Sequence, residues 1–183
     1  SLQERICVNV LTSYLAAEGG CASGIVAGPD ILSDSGLAAS TGKPVPNGHL
    51  KIVDPDSIAV VELAAGAVGE IILKSASMAV SYIGDNSLNR DNFVDGWWRS
   101  GDLGYLDEEG LLFVKGRLDN RINSGGIKVH AEEIEAALLL HPDVQLAAVI
   151  GQPDQDWGER IEAYLVSKNP ALTGQKVSEY CAD

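Results

Sequence analysis

Trp98-Arg99-Ser100-Gly101-Asp102-Leu103-Gly104 is followed by Gly116-Arg117-Leu118-Asp119, then by Ser124-Gly125-Gly126-Ile127-Lys128 running into Glu132-Glu133-Ile134-Glu135. The pattern of the chain changes across this stretch. Before it, residues 42–115 read as β structure. His49-Leu50-Lys51-Ile52-Val53 alternates with period two, and Gly69-Glu70-Ile71-Ile72-Leu73-Lys74 does so more loosely. Pro46-Asn47-Gly48 and Asp54-Pro55-Asp56-Ser57 supply turn residues between such runs. Asp107-Glu108-Glu109-Gly110 joins short strands at 104–106 and 111–115 as a hairpin.

After Asp119 the spacing becomes helical. Residues 131–140 bring Ile134, Ala137, Leu138 and His141 to one face, and Pro142 stops the helix. Glu132 and Glu133 occupy its first turn, where carboxylates favour the helix dipole, and His130 precedes it at the N-cap. Residues 144–150 form a continuous apolar strand with a neighbour at 161–166. Upstream, residues 7–12 read as a short buried strand. Tyr14-Leu15-Ala16-Ala17-Glu18 follows it, then a glycine- and alanine-rich loop through Gly19, Gly20, Gly24 and Gly28. The expected fold class is α+β: a β-rich, distorted barrel-like subdomain over residues 1–118, then a small, incomplete α+β subdomain over 119–183.

Composition removes several function classes. A chain of 183 residues with 45% hydrophobic residues is globular in character, and too apolar for disorder. Its net charge of −13 argues against a nucleic-acid groove and against an anionic membrane surface. No apolar run approaches the roughly 20 residues that span a bilayer, and the N-terminus has no signal-peptide pattern. Cys7, Cys21 and Cys181 give neither a disulfide framework nor a zinc site, so a reducing cytoplasm is expected. His49, His130 and His141 do not cluster in sequence, and no cysteine has a visible base partner.

The order and spacing of these motifs resemble the C-terminal signature of the adenylate-forming superfamily, which includes acyl-CoA synthetases, nonribosomal-peptide adenylation domains and luciferases. The resemblance implies activation of a carboxylic acid by ATP as an acyl-adenylate, followed by transfer to a thiol, with Mg2+ as metal and CoA as co-substrate. It implies that Tyr14 stacks on adenine and that Glu18 meets the magnesium near the phosphates. It assigns Asp102 to the ribose hydroxyls, Arg117 to ribose and phosphate, and Lys128 to a phosphate. Asp119 becomes the hinge of a mobile C-terminal domain, while Ser124, Gly125 and Gly126 line the thiol's tunnel.

These roles suit the side chains. A carboxylate with two acceptor oxygens fits a vicinal diol, an arginine forks toward oxygen pairs, and glycines permit close approach to a narrow pantetheine chain. Read without the resemblance, Tyr14 is a core tyrosine at a strand end and Asp102 a turn aspartate. Arg117 and Asp119 are then a surface pair, Gly125-Gly126 a tight turn, and Lys128 a surface lysine.

The match departs from the family at three places. Leu15 stands for a glycine beside the acyl pocket, Ala17 for a threonine facing the α-phosphate, and Ser100 for a threonine. The family's phosphate loop and its C-terminal lysine are not found among these residues, which match the last part of a larger enzyme. That enzyme is expected to take a small carboxylic acid, ATP and CoA, and the fragment alone to be inactive. The Ile122 to Lys128 stretch is more like acyl-CoA synthetases than peptide-synthetase domains. Two alternatives stand beside it: a degenerate relative that binds a nucleotide or partner without chemistry, as Leu15 and Ala17 suggest, and an adenylation domain that loads a carrier-protein thiol.

Overall fold

Val10–Ala16 (β1) and Gly20–Ala27 (β2) pair antiparallel across a short turn, in a computed structural model that describes residues 10–27, 37, 39–84 and 86–182. The hairpin corrects two expectations. Tyr14 lies within a strand rather than after one, and residues 20–27, expected as a loop, form the partner strand. Small residues carry little β propensity, so the sequence of β2 does not announce a strand; the ladder to β1 makes it one. Residues 7–9 and Gly28 lie outside the described residues. A register shift between Tyr14 and Leu15 marks a bulge in β1.

The chain divides into two compact units, Ser1–Lys115 and Gly116–Asp183. In the first, β1 and β2 form a sheet with Lys43–Pro44 (β3), in the order β1-β2-β3. A second antiparallel sheet contains Gly48–Val53 (β4), Gly69–Ser75 (β5), Phe93–Val94 (β6), Trp97–Leu106 (β7) and Leu112–Arg117 (β8). Its order is β4-β5-β7-β6, with β8 also paired to β7. Neither sheet closes into a barrel among the described residues. Strand β5 is central, and residues 69–73 are all buried, which accounts for the loose alternation of its sequence. Ile71 and Leu73 meet Tyr14, Leu50, Ile52, Trp98 and Leu112 in the core. The hairpin at Asp107 forms as expected, because the Asp107 carboxylate accepts from the amides of Glu109 and Leu111 at 3.0 and 2.8 Å. A helix, Asn86–Asn92 (α1), interrupts the region expected to be wholly β.

The second unit begins with the last two residues of β8, followed by a single 3-10 turn, Leu118–Asn120. Arg121–Ser124 (β9), Ile127–His130 (β10), Val144–Asp154 (β11) and Gly158–Ser167 (β12) form an antiparallel sheet ordered β10-β9-β12-β11. Ala131–Leu139 (α2) and Gly174–Ala182 (α3) accompany it. Ala131, Leu138 and Val177 pack with Ile122 and Val149, with Ile134 alongside, whereas Ala137 is exposed. The apolar face of α2 is therefore 131, 134 and 138, rotated from the expected one toward its N-terminus. His130 takes the N-cap position, but its side chain makes no capping hydrogen bond. His141 Nδ1 accepts from the Asp143 amide at 3.1 Å, and its ring meets Tyr180 edge-on. No helix of the described residues is long and apolar enough to cross a membrane.

Candidate nucleotide-binding site

In the first unit the structure brings Tyr14 and Asp102 together across 88 residues of sequence: the Tyr14 hydroxyl donates to Asp102 Oδ2 at 2.6 Å. This length is typical of a hydrogen bond to an ionised acceptor. Tyr14 is 8% exposed and belongs to the core cluster, so it ties β1 to β7 as well as being the candidate adenine platform.

Asp102 sits in a bulged stretch of β7, fixed by Glu70 on β5 and by Arg99 and Ser100 beside it in the motif. Glu70, buried on β5, accepts from the Gly101 amide at 3.1 Å and pairs with Arg99 at 2.6 Å. The Arg99 guanidinium also reaches the Ser57 carbonyl at 2.9 Å. Ser100 Oγ donates to the Ile71 carbonyl at 2.6 Å and accepts from the Asp102 amide at 3.0 Å. A threonine hydroxyl in its place would do the same, so the exchange at position 100 conserves the chemistry. Gly101 adopts φ +71°, a conformation that a Cβ disfavours.

Glu18 sits in the turn between β1 and β2, half-buried. Its Oε1 accepts from the Tyr82 hydroxyl at 3.0 Å, and its backbone carbonyl accepts from the Ala79 amide at 2.7 Å. Among the described residues no group of three or more His, Cys, Asp or Glu could hold a metal ion. The Glu18 carboxylate is a hard oxygen donor that fits a magnesium ion carried mainly by phosphate oxygens and water. Leu15, on the same strand, is exposed.

The remaining candidates belong to the second unit. Arg117 and Asp119 pair at 3.5 Å with side chains 51% and 82% exposed, a geometry of small energetic value. Asp119 lies in the 3-10 turn, and its neighbour Asn120 donates to Glu132 Oε1 at 2.6 Å, fastening that turn to the start of α2. Ser124 ends β9, and Gly125 and Gly126 form the two-residue connection to β10 with φ +59° and +86°. Two positive φ values define the turn type that suits a two-residue hairpin. Trp157, unmarked by the sequence reading, lies against Gly125, whose amide donates to the Trp157 carbonyl at 2.8 Å. Lys128 is exposed on β10, opposite Asn123.

A family model described as the AMP-binding enzyme C-terminal domain matches residues 133–183. The 2-succinylbenzoate–CoA ligase of Bacillus licheniformis is 38% identical over 144 residues, covering 79% of this chain and 29% of that protein. The 4-chlorobenzoate–CoA ligase of an Arthrobacter species is 35% identical over 157 residues, covering 85% and 29%. Among solved structures, o-succinylbenzoate CoA synthetase from Bacillus subtilis in complex with the acyl-adenylate intermediate OSB-AMP matches with a TM-score of 0.81. The identity there is 32%, over 99% of this chain and 36% of that one. This chain belongs to the adenylate-forming superfamily.

The chain spans about 29% of the length of these two ligases. Antiparallel sheets with a few short helices are the form the adenylate-forming fold takes over these residues.

Proposed function

We propose that this chain is part of an ATP-dependent carboxylic acid–CoA ligase. The acid and ATP give acyl-AMP and pyrophosphate; CoA then displaces AMP to give acyl-CoA. The observation that carries the proposal is the 2.6 Å bond between Tyr14 and Asp102. It joins the two motif residues assigned to opposite ends of one nucleoside. In this reading the Tyr14 ring lies beside adenine, and Asp102 accepts from the ribose hydroxyls. The tyrosine bond and the Glu70-anchored bulge of β7 hold its carboxylate in place beforehand, which lowers the ordering cost of binding. Arg117 and Lys128 supply positive charge to phosphate oxygens. Magnesium arriving with the nucleotide would neutralise phosphate charge, with Glu18 its contact on this chain. Asp119 is the hinge, and Ser124, Gly125 and Gly126 border the thiol.

These residues include neither the phosphate loop nor the lysine of the family, so on their own they are expected to make no acyl-adenylate. The proposed setting is the cytoplasm, in keeping with an exposed free thiol at Cys181.

The test is pyrophosphate exchange by the full-length protein against a panel of carboxylic acids, with thioester formation followed when CoA or a carrier-protein thiol is added. Acid-dependent exchange with CoA-thioester product supports the ligase. Nucleotide binding without exchange points to a degenerate binding module, and transfer only to the carrier thiol points to an adenylation domain.

A further inference from the structure

The Glu18 carboxylate is held by a built assembly that reaches outside the motifs, with Trp98 as its motif residue. Trp98 Nε1 donates to the Tyr82 hydroxyl at 3.2 Å, and that hydroxyl donates to Glu18 Oε1 at 3.0 Å. The direction is fixed by chemistry: an indole N–H only donates, so the tyrosine oxygen accepts there and its proton points at the carboxylate. Tyr82 is itself pinned. Its amide donates to Asn89 Oδ1 at 2.6 Å, while Asn89 Nδ2 donates to its carbonyl at 2.9 Å. Its ring meets Phe93 edge-on, with centroids 5.5 Å apart. Asn89 stands on α1, so this helix has a use in holding Tyr82. Ala79, on the same segment, ties the Glu18 carbonyl. Burial, foremost, together with the Glu18 hydrogen bond and charge raises the Tyr82 hydroxyl above its ordinary value, against the lowering effect of the Trp98 bond.

Resting on the reading of Glu18 as the contact for nucleotide-bound magnesium, we infer that Tyr82 is a positioning residue. Its hydroxyl occupies one Glu18 oxygen and aims the carboxylate, so that the metal meets a single prepared geometry. A carboxylate released from this bond rotates and hydrates, and its differential affinity for the metal–nucleotide complex falls.

The experiment uses the full-length enzyme and the non-reacting analogue adenosine 5′-(α,β-methylene)triphosphate. Calorimetry gives its dissociation constant with Mg2+ and with EDTA, and the ratio is the metal-dependent gain in affinity. Tyr82→Phe keeps the ring and its contact with Phe93. It is expected to reduce the gain about fivefold, the net worth of one ordinary hydrogen bond, while metal-free binding is unchanged. Glu18→Gln should reduce the gain further, and the double variant should match Glu18→Gln alone, since the hydroxyl acts through that carboxylate. If Glu18→Gln lowers the gain and Tyr82→Phe does not, the inference is overturned and the reading of Glu18 stands. If Tyr82→Phe lowers it equally with and without Glu18, the hydroxyl acts by another route and the inference also fails. If Glu18→Gln leaves the gain unchanged, the metal role itself is wrong and the inference falls with it.

Discussion

Two ion pairs of nearly equal length in the first unit differ in burial, and that difference sets their worth. Glu70 and Arg99 meet at 2.6 Å with side chains 4% and 14% exposed; Lys51 and Glu62 meet at 2.7 Å with 34% and 54% exposed. Glu70→Ala removes the carboxylate partner of a largely buried guanidinium that also donates to the Ser57 carbonyl, and it removes the acceptor of the Gly101 amide. Breaking a buried pair costs about 3–5 kcal/mol and an orphaned buried amide about 1–3 kcal/mol. The two overlap, because the bulge can relax. The expected loss is about 4 kcal/mol, a large share of a domain's roughly 5–15 kcal/mol. Glu62→Ala should cost less than about 1 kcal/mol. Urea unfolding in a Trp157→Phe background isolates the first unit, since the other two tryptophans, Trp97 and Trp98, both lie there. Equal losses for the two variants would refute the argument that Glu70 anchors the bulge of β7 that carries Asp102. Arg99→Met added to Glu70→Leu should recover part of the loss, as it removes the stranded charge.

Further outcomes are expected in the second unit and in the isolated chain. Gly125→Ala should destabilise more than Gly126→Ala in thermal melts. Both require a positive φ, at about 1–2 kcal/mol, but only at Gly125 does a Cβ meet the Trp157 ring, at 2.7 Å. Asp154 lies below the usual aspartate range because the Asp156 and then the Trp157 amide donate to it. A depressed value stabilises the fold above the unfolded aspartate range, and that contribution is lost as pH falls through the folded value. Hydrogen-exchange protection at those two amides should therefore drop in acid, and Asp154→Asn, which keeps the oxygen without the charge, should flatten the response. The 183 residues alone should show no pyrophosphate exchange, and a measurable rate would remove the case for a missing phosphate loop and lysine.

Local features were readable from the residues. The Asp107 hairpin follows from one carboxylate and one glycine, and α2 from its spacing and from Pro142. Strand β2 was not, because Gly20–Ala27 has the composition of a loop and becomes a strand only through pairing with β1. Helix α1 was not either: Asn86–Asn92 has no apolar face to give it a period, and its visible work is the Asn89 grip on Tyr82. At the candidate site the motif residues Tyr14, Glu18 and Asp102 could be named by resemblance. Their supports Glu70 and Tyr82 could not, since each acts through a tertiary contact with no fixed spacing; Arg99 and Trp98 stand within the motif, but the partners they engage do not.

The central claim, that Asp102 holds the nucleoside and Asp119 is the hinge, is tested most directly by separating the two half-reactions in the full-length enzyme. Pyrophosphate exchange and CoA-thioester yield are measured for Asp102→Ala and Asp119→Pro. Asp102→Ala should weaken ATP use in exchange. Proline at 119 fixes φ near −65° and removes a backbone N–H, and it should spare exchange more than thioester formation. If Asp119→Pro slows both steps equally while Asp102→Ala leaves exchange untouched, both assignments are wrong.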